Sequence, residues 1–89
     1  MKIALDFDNT FSVDPELWLH FVNMARLRGH EVKIVTSRHP GNSPPFPFPQ
    51  FGLEVIHCSF TAKRKHYQAD VWIDDDPARV DIDHVHPVV

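Results

Sequence analysis

One cysteine, Cys58, stands among 89 residues, so no disulfide can form within the chain. A reducing, cytoplasmic setting is expected, and Cys58 reads as a small buried apolar residue rather than a nucleophile. A basic surplus is also lacking. Nine Lys and Arg against 12 Asp and Glu leave a formal charge of -3, which provides no basic footprint for nucleic acid. Lys63, Arg64 and Lys65 form the only basic cluster. It reads equally as a solvated helix face or as a local rim for a nucleic-acid end. No apolar run approaches the ~20 residues of a membrane-spanning helix. Ile3 to Leu5 is cut off by Asp6, so neither a membrane segment nor a secretory leader is expected. The seven histidines lack the paired spacing of a zinc site, and His84 and His86, one residue apart, are not expected to bind metal. There are no internal repeats and no linker. One domain over residues 1–89 is expected, with a thin core.

The residues that are present, 43% hydrophobic and 24% charged, suit an ordinary globular domain. Ile3-Ala4-Leu5 lacks polar alternation and predicts a strand covered on both faces, ending at Asp6-Phe7-Asp8. Asp14 can cap a helix, Pro15 suits its first position and Glu16 complements its dipole. Leu17, Trp18, Phe21, Val22 and Ala25 follow a helical period, and Gly29 is a natural terminator. Glu31 to Val35 predicts a second strand ending at Thr36-Ser37-Arg38. Strand, helix and strand in this order imply a parallel sheet.

Five prolines, Pro40, Pro44, Pro45, Pro47 and Pro49, exclude a regular helix from the next segment. It is read as an extended, polyproline-like crossover to a third strand at residues 53–56. Phe46, Phe48 and Phe51 are placed either over the sheet or on an aromatic lip beside the substrate. Thr61 would cap a short helix over residues 62–68, Val71-Trp72-Ile73 would be the fourth strand, and the alternation from Val80 to Asp83 suggests a small edge strand.

The polar clusters fall at the C-terminal ends of the predicted parallel strands, where open α/β sheets place their sites. Asp6 and Asp8 end the first strand, Thr36 the second, and Asp74 and Asp75 the fourth, with a lysine shortly before it. Four carboxylates converging on one crevice need a cation to offset their repulsion. An all-oxygen site of this kind suits Mg²⁺.

Asp6-Phe7-Asp8-Asn9-Thr10 resembles the first motif of the haloacid dehalogenase (HAD) superfamily of phosphatases. Val35-Thr36 looks like the second motif, Lys63 the third, and Ile73-Asp74-Asp75-Asp76-Pro77 the fourth. Residues 14–18 and 28–30 also resemble small HAD-like proteins of phages and bacteria. The resemblance implies a minimal Rossmann-like α/β fold: a parallel sheet of about four strands in the order 3-2-1-4, few helices and no cap domain. It implies that Asp6 is the nucleophile and Asp8 the general acid and base. Thr36 and Lys63 would grip the phosphoryl group. Asp6, the Asp8 main-chain carbonyl, Asp74 and Asp75 would hold Mg²⁺. Phe7, Asn9, Thr10, Ser37 and Arg38 would border the phosphate or substrate. Lys65 is an alternative to Lys63, although a lysine in the first helical turn, leaning towards the N-terminus, favours Lys63.

Two departures bear on function. The helix opens at Asp14, four residues after Thr10, so the usual flap is nearly absent. The proline-rich segment is also too short for a cap. An open site is expected, one that takes a nucleotide or a nucleic-acid end, or that borrows a lid from a second copy of the chain. The leading expectation is a Mg²⁺-dependent phosphomonoesterase. The alternative is a HAD-like binding or regulatory protein with little turnover. A receiver-type phosphoacceptor ranks last, because no aspartate ends the second or third predicted strand.

Overall fold

The computed structural model describes residues 1–84. Four strands, β1 (Lys2–Leu5), β2 (Glu31–Thr36), β3 (Val55–His57) and β4 (Val71–Ile73), form one sheet in the order β3-β2-β1-β4, all pairs parallel. Two helices accompany them, α1 (Pro15–Leu27) and α2 (Ala78–Asp81). This is the expected α/β sheet with no cap domain among the described residues. Leu5 is level with Ile73, so the ends of β1 and β4 lie side by side, while β2 runs two residues past Ile34, the partner of Leu5, to Thr36.

The apolar run of β1 is buried on both faces, as its lack of alternation requires. Ile3 and Leu5 join Val22, Val32, Ile34, Phe48 and Leu53 in the larger core, while Ala4 joins Val35, Cys58 and Tyr67 on the other face. Asp14 caps α1 by accepting the Leu17 N–H at 3.2 Å, with Pro15 at the first helical position. Val22 and Ala25 are buried, and Leu17 is exposed. Past the C-terminal end of α1, Gly29 adopts a left-handed φ of 85°, a conformation that costs glycine little.

The proline-rich crossover departs from the extended chain expected of it. It folds into two 3-10 turns, Pro40–Asn42 and Phe48–Phe51. Proline fits their first positions, where no N–H is needed, and the bonds Asn42 N–H to His39 O and Gln50 N–H to Pro47 O close them. Phe48 is fully buried, with its ring 4.8 Å from Phe11, 4.7 Å from Phe46 and 5.9 Å from Phe7. Phe46 packs against the same core. These rings cover the sheet where a helix would otherwise lie, and neither Phe46 nor Phe48 forms an aromatic lip on the cleft of its own chain.

Three other expectations are corrected. The third strand starts at Val55, two residues late, because Leu53 is drawn into the core with its N–H bonded to Phe48 O. The helix expected over residues 62–68 is only a 3-10 turn, Lys63–Lys65, and Thr61 does not cap it. So short a helix has little intrinsic stability, and tertiary anchors at both ends win. Lys63 is buried at one end, and at the other Tyr67 packs into the second core and donates to Glu31 at 2.6 Å. The expected edge strand from Val80 to Asp83 is instead α2, which starts after Pro77, buries Val80 and leaves Ile82 exposed. No helix among the described residues is long and apolar enough to cross a membrane.

Candidate active site

Asp6 directly follows β1, and Asp74 and Asp75 directly follow β4. Because these strands are parallel neighbours, the three residues emerge at the same edge of the sheet. The Asp6 N–H donates to Ile73 O at 3.0 Å, extending the pairing one step beyond the strands. Carboxylate oxygens of Asp6, Asp74 and Asp75 lie within 4.8 Å of one another.

Lys63 decides the electrostatics of this group. It is 1% exposed, and its Nζ donates to Asp6 Oδ1 at 2.7 Å and to Asp74 Oδ2 at 2.5 Å. Lys65, the other candidate, points elsewhere and pairs with Asp83 at 3.0 Å. Burial pushes the Asp6 carboxyl up to about 7, against the opposing pull of Lys63. Burial also works against the Lys63 charge, but Asp6 and Asp74 outweigh it and hold the ammonium above its ordinary value.

Thr10 ties the two strand ends together. Its hydroxyl lies 3.2 Å from Asp6 Oδ2 and 3.4 Å from Asp75 Oδ1, and it accepts the Asp75 N–H at 3.3 Å. Asp74 Oδ1 accepts the Asp76 N–H at 2.9 Å, which shapes the loop after β4. Asp76 also lines the cleft, where its carboxylate pairs with Arg79 at 3.1 Å.

The remaining expected residues divide into two sets. Asp8, Asn9 and Ser37 line a cleft of about 210 Å³ together with Asp6, Lys63 and Asp75. Asn9 does so with a left-handed φ of 59°, its N–H held by Ser12 Oγ at 3.0 Å. Arg38 reaches the cleft edge by gripping Asp8. The Asp8 carboxylate is thus engaged by Arg38 and lies outside the three-carboxylate group. Thr36 is fully buried, with its hydroxyl accepting the Arg38 N–H at 3.2 Å, and Ser37 is the residue of that strand end that lines the cleft. The Phe7 ring is also buried, against Phe11 and Phe48, so its side chain serves the core.

Sequence reasoning missed Phe60, Arg79 and His84, which line the same cleft. No local motif marks them. Phe60 reaches the cleft after two successive left-handed residues, Ser59 at φ 49° and Phe60 itself at 62°.

The donor set fits a hard divalent cation. It is all oxygen, as Mg²⁺ requires. Three carboxylates facing one ammonium leave two formal negative charges. The nearby pairs Asp8–Arg38 and Asp76–Arg79 are already balanced. Comparison with protein-family models, curated proteins and solved structures returns no match for this chain.

Proposed function

We propose that the protein is a Mg²⁺-dependent phosphomonoesterase of the HAD type, working through an aspartyl phosphate on Asp6. One observation carries this reading. Asp6, Asp74 and Asp75 are drawn together at adjacent strand ends around a buried lysine that neutralises only part of their charge. A structural ion pair needs one acid for one base. Here Asp6 and the Asp74 side chain share one buried ammonium while Asp75 opens beside them to solvent, an excess of acid that a cation in the cleft would offset.

Asp6 and Asp75, with Asp74 and the Asp8 main-chain carbonyl, would hold Mg²⁺. The ion would offset the repulsion between the phosphate and the carboxylates. An Asp6 oxygen attacks phosphorus as the bond to the leaving oxygen breaks, and Asp8 supplies the proton that oxygen takes up. Asp8 then removes a proton from the water that attacks phosphorus and frees Asp6. Lys63, already on Asp6 Oδ1, would balance charge on the phosphoryl oxygens. Ser37 and the N–H groups after Asp6 would donate to the rest of that group, since Ser37 lines the cleft whereas Thr36 is fully buried behind it.

The test is a turnover screen over nucleotides, sugar phosphates, phosphopeptides and phosphorylated oligonucleotide ends. Hydrolysis that requires Mg²⁺, stops reversibly with EDTA and disappears in Asp6→Asn is the expected result. Undiminished hydrolysis by Asp6→Asn would rule out the aspartyl phosphate. A phosphate-binding protein with little turnover is the second reading. The two-bond grip of Arg38 on Asp8 favours it, because the general acid would have to leave that grip to act.

A further inference from the structure

The rings of Phe7, Phe11 and Phe48 are buried in the core. Phe60 is different. It is half-buried and lines the cleft that holds Asp6 and Lys63. Its backbone is left-handed, as is that of Ser59 before it. Bulky residues rarely adopt this conformation and pay for it in strain, and such strain collects at ligand sites. Here it is held in place by hydrogen bonds on both sides: Phe60 N–H to Ser37 O at 2.8 Å and His84 N–H to Phe60 O at 2.7 Å. The first of these ties the ring to the strand end that also carries Ser37 into the cleft. The His84 ring, a second aromatic lining the cleft, stands edge-on to Phe60 with centroids 5.5 Å apart. A strained backbone thus sets an aromatic wall beside the proposed phosphate position.

Charge argues for a small substrate. Arg79, which lines the cleft, is already paired with Asp76, and Arg38 is paired with the cleft residue Asp8. A polynucleotide needs a row of cations for successive phosphates. A mononucleotide needs only one phosphate site and a surface for its base.

We infer that Phe60, with His84, is the specificity-determining wall of the site. The preferred substrates are then small phosphomonoesters with a planar aromatic group, such as nucleoside monophosphates, rather than sugar phosphates or nucleic-acid ends. This inference rests on the phosphomonoesterase reading, and the experiment separates the two. Binding of adenosine 5'-monophosphate, ribose 5-phosphate and a 5'-phosphorylated oligonucleotide to the Asp6→Asn protein with Mg²⁺ is measured by calorimetry, alongside turnover by the unaltered protein. The nucleotide should bind about tenfold tighter than the sugar phosphate, as stacking of one base allows, and the oligonucleotide no tighter than the nucleotide. Adding Phe60→Asn should bring the nucleotide-to-sugar ratio close to one, while Phe60→Trp keeps it. Asparagine tolerates a left-handed backbone, so Phe60→Asn should also keep its melting temperature. Equal affinities for nucleotide and sugar phosphate would overturn the inference, as would a ratio unchanged by Phe60→Asn or a preference for the oligonucleotide. A tenfold ratio without any turnover would leave the aromatic wall standing and remove the phosphatase.

Discussion

Arg38 grips Asp8 with two bonds, Nε to Oδ2 at 3.0 Å and Nη2 to Oδ1 at 2.7 Å. The guanidinium also lies over the Phe7 ring, 5.4 Å from its centre. A planar fork, an aromatic face and a carboxylate together define one position for Asp8. Removing the fork should let Asp8 wander. If the grip positions Asp8 for catalysis, Arg38→Ala lowers kcat about tenfold, whereas a rise in kcat would show that the grip restrains the general acid; the stability loss should be only about 1 kcal/mol because the pair is partly exposed. Lysine cannot reproduce two parallel bonds, so Arg38→Lys should not restore the rate. Steady-state kinetics on both variants, with urea unfolding as the control, checks this.

Lys63 has no substitute within the site. Lys63→Met would leave Asp6 and Asp74 buried without their counter-charge. Breaking a buried pair on one side costs about 3–5 kcal/mol, a large share of the stability of a domain this small. Urea unfolding at neutral pH should show that loss, and Mg²⁺ should recover part of it. An unchanged midpoint would mean that the lysine is not what balances these acids.

The triple aspartate after β4 should divide by role. Asp75 belongs to the three-carboxylate group, whereas Asp76 is turned to Arg79. Asp75→Asn is expected to weaken Mg²⁺ binding by about tenfold or more, since a hard cation depends on the charge of its ligands. Asp76→Asn should change it by no more than about twofold. Calorimetric titration of Mg²⁺ into each variant distinguishes them, and equal losses would contradict the assignment.

Phe48 and Phe46 should separate in stability. Phe48 is fully buried, while Phe46 packs at the core edge. Deleting a buried phenyl ring costs about 3–5 kcal/mol, so Phe48→Ala should be unfolded or close to it at 25 °C. Phe46→Ala should remain folded with a lowered melting temperature. Circular dichroism melts of the two variants would show the order, and the reverse order would misplace the core.

Cys58 should resist modification. Burial pushes its thiol up to about 11, with Lys63 pulling weakly the other way. At pH 8 native protein should react with iodoacetamide far more slowly than urea-unfolded protein. The unfolded thiol loses its proton near 9, its ordinary value. Below that pH the effect on stability is absent. Above it the unfolded state gains, so stability falls as pH rises from about 9 through about 11, by at most about 1.4 kcal/mol per pH unit for one group. Cys58→Ala should reduce that alkaline slope in urea titrations at pH 8 and pH 10.

The sequence by itself determined the features that depend on neighbouring residues. Asp14-Pro15-Glu16 sets the start of α1 through a cap, a compatible ring and a favourable charge, all within one turn. Ile3-Ala4-Leu5 marks a strand buried on both faces because no polar residue interrupts it. The alternation of strand and crossover leads to a parallel sheet, and acids at strand ends are then certain to share one edge if the strands are neighbours. Tertiary structure decided everything that depends on residues distant in the chain. Lys63 rather than Lys65 reaches Asp6 across 57 positions, and Arg38 meets Asp8 across 30. Phe48 becomes core because the sheet leaves a face uncovered there, and the segment from residue 62 to 68 gives up its helix because Lys63 and Tyr67 are anchored on separate partners. Phe60 carries no local signal at all. Its place in the cleft comes from a strained turn that bonds to Arg38, Ser37 and His84 help to hold, and the first two exist only once the sheet has formed.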